Sequence, residues 1–159
     1  MSTQPFFKAL QNSELAISLG QSNHLYGVLA QIFHIAGLIL ILAPLLIVNL
    51  RLLGAGLTNQ PVTQLVKATN PLIWTGLVFI SLSGLFMFAP SALLYYPNPA
   101  FWYKFELLGL ALILQFTLYR KITATETPNR ALAVATAIAS LTLWFGVGIA
   151  GRAIGYVAA

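Results

Sequence analysis

Four long apolar runs constrain the fold of this chain more than any other feature of its sequence. Each run approaches the ~20 apolar residues that a helix needs to cross a bilayer. Only 7% of the residues are charged and 58% are hydrophobic, whereas roughly 25% of the residues of a soluble domain are charged. The sequence therefore predicts an all-α, polytopic membrane protein, a four-helix transmembrane bundle. The predicted spans cover about residues 25–50, 71–89, 100–119 and 131–150.

The predicted transmembrane domain occupies residues 25–156, and residues 1–24 form a separate N-terminal segment. Within that segment, "FFKALQNSELAISLGQ" mixes aromatic with polar residues, a composition typical of a short helix in the membrane interface. Pro71 stands where the second span begins, since proline suits the first position of a helix. We expect a separate surface helix over residues 62–68 in the polar link before it.

The basic residues predict how the chain is oriented in a membrane. The net charge is +5, but the eight basic residues are scattered at the ends of apolar runs and form no patch for nucleic acid. Because cytoplasmic loops are enriched in Lys and Arg, the richer side is predicted to be cytoplasmic. The sequence thus predicts a multi-pass protein of the bacterial inner membrane with both termini outside. The richer side holds Arg51, Lys67, Arg120, Lys121 and Arg130; the other holds Lys8, Lys104 and Arg152.

Four side chains on four different predicted helices lie at one depth of the bilayer. His34 lies about nine residues into the first span, which is ~13 Å at 1.5 Å per residue. Met87, near the end of the second span, reaches that depth because neighbouring helices run antiparallel. Lys104, early in the third span, and Arg152, after the fourth, face the same side. Since ionisable groups inside a membrane raise a functional question by default, these four residues form the candidate cofactor site.

Each of these residues also has a purely structural interpretation. His34 can hydrogen-bond a carbonyl of a neighbouring helix, and Lys104 can extend to the interface as an anchor. Met87 is more often a packing residue than a ligand, and Arg152 suits a helix end, where a cation meets the carbonyl dipole. Gln115 shares a helix face with Lys104 and is expected to hydrogen-bond across the bundle.

The candidate site suits two cofactors. His34 with Met87, or His34 from two subunits, would ligate the iron of haem b, with Lys104 and Arg152 holding its propionates. A quinone is less demanding, because it needs only a histidine and cations in an apolar pocket. The chain has no cysteine, so thiolate-bound zinc and iron–sulfur clusters are excluded. The sequence has neither the paired carboxylates nor the G-x-S-x-G motif that would favour a hydrolase. Whether the protein is an enzyme stays open.

Three functions are compatible with these observations. The leading one is electron transfer by a membrane protein or subunit that binds haem b or a quinone near the outer leaflet. The first alternative is a non-catalytic accessory subunit of a larger membrane complex, and the second is a small transporter or channel. In each case the expected partners are the lipid bilayer and either further copies of the chain or other membrane subunits, because small residues in the fourth span suit helix packing in lipid.

Five stretches of the sequence resemble an uncharacterised bacterial family of four-helix membrane proteins, a domain of unknown function. The stretches are "FHIAGLILIL", "NLRLLG", "PLIWTGLVFISLSGLFMFA", "NPAFWYKFELLGLAL" and "GRAIGY", and the resemblance covers residues 13–156. It implies a four-helix fold and supplies no settled activity.

The family pattern falls on His34, Arg51, Lys104 and Arg152. Asn49 stands where family members usually have Asp before L-R-L-L-G, so an Asp–Arg ion pair is not available there. More loosely, the H-x-x-G at His34 is similar to that of small membrane cytochromes b and copper-resistance membrane proteins. That similarity ranks haem above zinc as the group that His34 would bind.

Overall fold

The N-terminal segment folds into two short helices. The computed structural model describes residues 3–125 and 128–157. Helix α1 spans Gln4–Gln11 and α2 spans Glu14–Gly20. Ser13 begins α2 by accepting a hydrogen bond on its side-chain oxygen from the backbone N–H of Ala16, at 3.3 Å. This cap satisfies one of the backbone donors that a helix start leaves free.

Four long helical stretches follow, and each is long and apolar enough to cross a membrane. The first is α3, which starts after the capping residue Asn23 and is followed by the C-cap residue Gly54, with a φ of +75°. The part of the chain that the structure describes contains no strand. The elements are α3 (His24–Leu53), α4 (Val62–Phe88), a 3₁₀ turn (Ala89–Ser91), α5 (Ala92–Tyr95), α6 (Pro99–Leu114), a π turn (Gln115–Tyr119), α7 (Arg120–Thr123) and α8 (Arg130–Val157).

The predicted fold class is confirmed: the protein is all-helical, with four candidate membrane-spanning helices. The start of the second span differs from the prediction. Helix α4 begins at Val62, and Pro71 lies inside it, so the expected surface helix and the second span are one continuous helix. An internal proline removes one backbone hydrogen bond, and a long apolar helix tolerates this loss where it packs against neighbours.

The long helices pack in antiparallel pairs. Helix α3 packs along α4, α6 packs along α8, and α3 also contacts α8. Helix α4 approaches the π turn, where the Trp74 and Phe116 rings lie 6.0 Å apart. We call the bundle end with His24 and Val157 the termini side, and the end with Leu53 and Arg130 the loop side.

The closest approach between helices is the crossing of α3 and α4 at two glycines. A Cβ atom at Gly76 would lie 2.7 Å from the carbonyl oxygen of Gly37 and 2.8 Å from Cγ1 of Ile41. A Cβ at Gly37 would lie 2.9 Å from the carbonyl oxygen of Gly76. Neither position has room for a side chain, so the two backbones are in direct contact. Small residues allow such close packing in lipid, where no hydrophobic force drives helices together.

An aromatic cluster closes the termini side of the bundle. Phe7 of α1 is buried there, with its ring 5.6 Å from that of Phe88 and 6.1 Å from that of Phe101. The backbone N–H of Leu93 donates to the side-chain carbonyl of Gln11 at 2.8 Å. The segment expected at the membrane interface is therefore attached to the end of the bundle through α1.

We expect Gly76→Ala to destabilise the protein by about 1–3 kcal/mol, the usual cost of adding a methyl group to a well-packed core. The reason is the clash of the new Cβ with the backbone of Gly37 and with Ile41. Thermal unfolding in detergent measures the effect. Gly109→Ala is the matched control, because nothing lies within 4 Å of its Cβ position and alanine is the better helix former. Equal melting temperatures for Gly76→Ala and Gly109→Ala would contradict the close crossing.

Candidate functional site

His34 of α3 is bound directly to α4. Its ring nitrogen Nδ1 lies 3.0 Å from the hydroxyl oxygen of Ser83. The Ser83 hydroxyl in turn donates to the backbone carbonyl of Phe79, one turn earlier in α4. Ser83 is buried and His34 is half-buried. The predicted cross-helix hydrogen bond of His34 is present, with a serine hydroxyl as the partner.

This chain of hydrogen bonds favours one of the two neutral forms of His34. A serine hydroxyl has a single proton, and the Ser83 hydroxyl lies within hydrogen-bond distance of the Phe79 carbonyl as well as of His34 Nδ1. With that proton on the Phe79 carbonyl, the oxygen of Ser83 accepts and Nδ1 of the neutral His34 ring donates. In this arrangement Nε2 is unprotonated, and its lone pair is directed away from Ser83. A histidine held in this way is prepared to accept a proton or to bind a metal through Nε2.

Two glycines make room for the charged and polar side chains of this site. A Cβ at Gly84 would lie 3.3 Å from Cε1 of His34, so the edge of the ring contacts α4 at that position. A Cβ at Gly151 of α8 would lie 3.6–3.7 Å from the end of the Lys104 side chain. Helices α4 and α8 thus each contribute a glycine against which one of the two side chains packs.

Lys104 of α6 belongs to the same site as His34. It is half-buried and close enough to act on the His34 ring electrostatically. Within residues 3–125 and 128–157, its ammonium group has no hydrogen-bond or ion-pair partner. We call His34, Ser83 and Lys104 the His34 layer. It combines a free acceptor, Nε2, with a free cationic donor, Nζ.

The other two predicted site residues are placed differently. Arg152 is exposed; its guanidinium donates to the Tyr156 hydroxyl at 3.2 Å and lies 5.0 Å from the centre of that ring. The structure does not bring Arg152 to the His34 layer. Consecutive residues of a helix point in different directions, and at this level of α8 it is Gly151 that faces the inside of the bundle. Met87 is half-buried in α4, one turn beyond Ser83, on the helix that contacts the Nδ1 side of His34.

This arrangement does not fit haem held between His34 and Met87. A porphyrin bound by both residues has to pass between the two ligand atoms, and so between α3 and α4. The His34 ring contacts the Gly84 position of α4, and the two backbones touch at Gly37 and Gly76. A haem bound at Nε2 would lie on the side of the ring away from Ser83, so its second ligand would have to come from elsewhere.

A second polar group lies toward the loop side, and the candidate site predicted from the sequence does not include it. The Asn49 side chain of α3 donates to the hydroxyl oxygen of Ser140 in α8 at 3.1 Å, and both residues are fully buried. Gln115 and Tyr119 stand at the two ends of the π turn. We call these four residues the Asn49 layer. A polar amide within a predicted span, as at Asn49, is the signal that sequence analysis can use to find such a layer.

An apolar belt separates the two polar layers. Four buried residues from α3, α6 and α8 form it: Ile41, Leu45, Ala111 and Trp144. All four are at most 2% exposed. The described side chains therefore offer no continuous polar path from the His34 layer to the Asn49 layer.

A comparison with protein-family models places the chain among known sequences. The model of a family of unknown function (DUF6644) matches residues 6–157. The chain belongs to this family. No curated protein and no solved structure matches it. Membership of DUF6644 agrees with the resemblance identified in the sequence, and it assigns no activity to the His34 layer.

We expect neutral His34 to carry its proton on Nδ1, the opposite of the form that free histidine prefers. The reason is the donation of the Ser83 proton to Phe79. Nitrogen NMR of protein labelled with ¹⁵N-histidine distinguishes the two forms, and His24→Gln assigns the signals because the chain has two histidines. Ser83→Ala should shift the His34 signals, whereas Ser81→Ala, an exposed position of the same helix, should not. A proton on Nε2 would contradict the hydrogen-bond assignment.

Proposed function

We propose that this protein is a quinone-binding subunit of a membrane electron-transfer system. The observation that carries the proposal is the His34 layer. It holds an unprotonated imidazole nitrogen and an unpaired ammonium group at one depth, on different helices. A quinol headgroup has a hydroxyl that donates and a second oxygen that accepts, so it complements the pair. Apolar surroundings with a few polar groups are typical of cofactor sites.

The two side chains have different roles in this proposal. Nε2 of His34 accepts a hydrogen bond from one quinol hydroxyl. Oxidation of the quinol releases two electrons and two protons: Nε2 takes the proton of this hydroxyl, and the proton of the second hydroxyl passes to water at the membrane surface. The Lys104 ammonium donates to the other oxygen and stabilises negative charge on the headgroup. Ser83 positions the imidazole through Nδ1. The electrons pass to a redox centre of a partner subunit, which makes this chain one component of a larger complex.

The apolar belt bears on the alternative functions. A channel or transporter needs polar groups through the middle of the membrane, and Ile41, Leu45, Ala111 and Trp144 occupy that level. An accessory subunit remains compatible with the fold, because only 11% of the most apolar stretch between Pro99 and Thr123 is buried within the bundle. The quinone proposal also requires a partner subunit, which would pack against this apolar surface.

We expect Lys104→Gln to weaken binding of a short-chain quinol by about tenfold or more, since a hydrogen bond to a charged group is worth about 1.5–3 kcal/mol. We expect His34→Gln to weaken it by about two- to tenfold, since a hydrogen bond between neutral groups is worth about 0.5–1.5 kcal/mol. The measurement is a titration of the protein in nanodiscs, followed by quenching of tryptophan fluorescence. His24→Gln and Lys8→Gln are the matched controls, because both residues are exposed and outside the site. They should bind as tightly as the unchanged protein.

Two results would overturn this proposal. Unchanged affinity in both His34→Gln and Lys104→Gln would show that the headgroup is not bound at the His34 layer. An absorption spectrum of protein purified from its native membrane tests the haem alternative. A Soret band with sharpened bands after dithionite reduction, lost in His34→Ala, would establish haem instead of quinone.

We also propose that the protein lies in the bacterial inner membrane with both termini outside the cytoplasm, since the loop side carries more cations. The absence of cysteine allows single cysteines to report topology. Ser18→Cys in α2 should react with a membrane-impermeant maleimide added to intact spheroplasts. Thr125→Cys, on the loop side, should react only after the membrane is opened. Both positions are exposed, and the reverse labelling pattern would contradict this orientation.

A further inference from the structure

Three buried oxygen atoms of the Asn49 layer have no hydrogen-bond partner within the described residues. They are Oδ1 of Asn49, Oε1 of Gln115 and the hydroxyl oxygen of Tyr119. Asn49 is 0% exposed and Tyr119 is 3% exposed. Buried polar groups are nearly always hydrogen-bonded, and leaving them unpaired destabilises a protein. Three such atoms near the loop side of the bundle therefore indicate hydrogen-bond partners beyond the described side chains.

The helix register brings Asn49 and Gln115 to the level of Ser140 and Tyr119 to within one turn of it. Asn49 is bonded to Ser140 of α8. Along the α6–α8 pair, Lys104 lies beside Gly151 and Leu107 beside Gly146. Following this antiparallel register toward the loop side places Gln115 level with Ser140, and Tyr119 one turn further on.

Helix α8 has one buried face toward the loop side, and both neighbours pack against it. The buried positions recur every three or four residues, as expected for one face of a helix. Helix α3 and the π turn both contact α8, so their polar side chains approach the same stripe. The stripe consists of Ala133, Thr136, Ala137, Ser140, Trp144 and Val147.

The unpaired groups are two acceptors and two donors. The side-chain carbonyls of Asn49 and Gln115 can only accept. The Tyr119 hydroxyl can donate. Ser140 accepts from Asn49, and its own proton has no acceptor among the described residues. By contrast, the Thr136 hydroxyl of the same helix donates to the Leu132 carbonyl.

We infer that the Asn49 layer binds one water molecule, held by α3, α6 and α8. Water donates two hydrogen bonds and accepts two, so it pairs with both carbonyls and both hydroxyls. A buried water typically has two to four polar partners. A monovalent cation matches the site less well, because it would leave the hydroxyl protons of Tyr119 and Ser140 without acceptors. The π turn fits this role, since such turns occur frequently at functional sites.

Tyr119→Phe tests the inference, because it removes only the hydroxyl. If that hydroxyl is bonded to water, the variant should lower the melting temperature in nanodiscs by about 2–4 °C. If it is unpaired, its removal should leave the melting temperature unchanged or raise it, which would overturn the inference. Tyr103→Phe is the matched control on the same helix, since Tyr103 is 62% exposed. It should leave the melting temperature unchanged.

A double-mutant cycle of Tyr119→Phe with Ser140→Ala tests whether the two hydroxyls share one bound molecule. They are on different helices and are not bonded to each other, so coupling between them is the result expected of a common partner. The double variant should lose clearly less than the two single losses combined, and strict additivity would overturn the inference. A melting temperature that rises in sodium chloride over choline chloride at equal ionic strength would assign a cation instead of water.

Discussion

The contact between α3 and α4 at Gly37 and Gly76 is the constraint on which the rest of the structure depends. Lipid gives no hydrophobic reason for two helices to associate, so dispersion forces between closely packed surfaces must hold them together. The two glycines bring the backbones into contact, and the helices then stay close along the crossing. About one turn further toward the termini side on α3, and two turns on α4, this closeness allows Nδ1 of His34 to lie 3.0 Å from the Ser83 hydroxyl oxygen.

The bundle is organised as two polar layers with an apolar belt between them. In each layer a hydrogen bond joins α3 to a neighbour, through His34 and Ser83 on one side and through Asn49 and Ser140 on the other. Such bonds in a dry environment specify which faces of the helices meet, where apolar contacts alone would tolerate rotation or sliding. The belt separates the layers, so each has its own hydrogen-bonding partners. The structure therefore supports two local sites more readily than one continuous pathway.

Depth in the membrane could be predicted from the sequence, but rotation about each helix axis could not. Counting residues places His34, Lys104 and Arg152 at similar depths, and Lys104 does lie beside His34. Arg152 faces outward because Gly151 occupies the inner position, a choice made by packing between α6 and α8. The preference of proline for the first turn of a helix predicted that the second span starts at Pro71. Helix α4 instead continues through Pro71, because a long apolar helix tolerates the lost hydrogen bond where it packs against neighbouring helices. The unpaired oxygen of Gln115 depends on the π turn, for which the sequence offers no local signal.

Under the proposed function, the apolar belt also determines where protons go. The four side chains of the belt, Ile41, Leu45, Ala111 and Trp144, include no proton acceptor. In this proposal, a proton taken by Nε2 of His34 therefore leaves toward the termini side. In the proposed orientation, with the termini outside, quinol oxidation at this site would release protons outward and add to the gradient across the membrane.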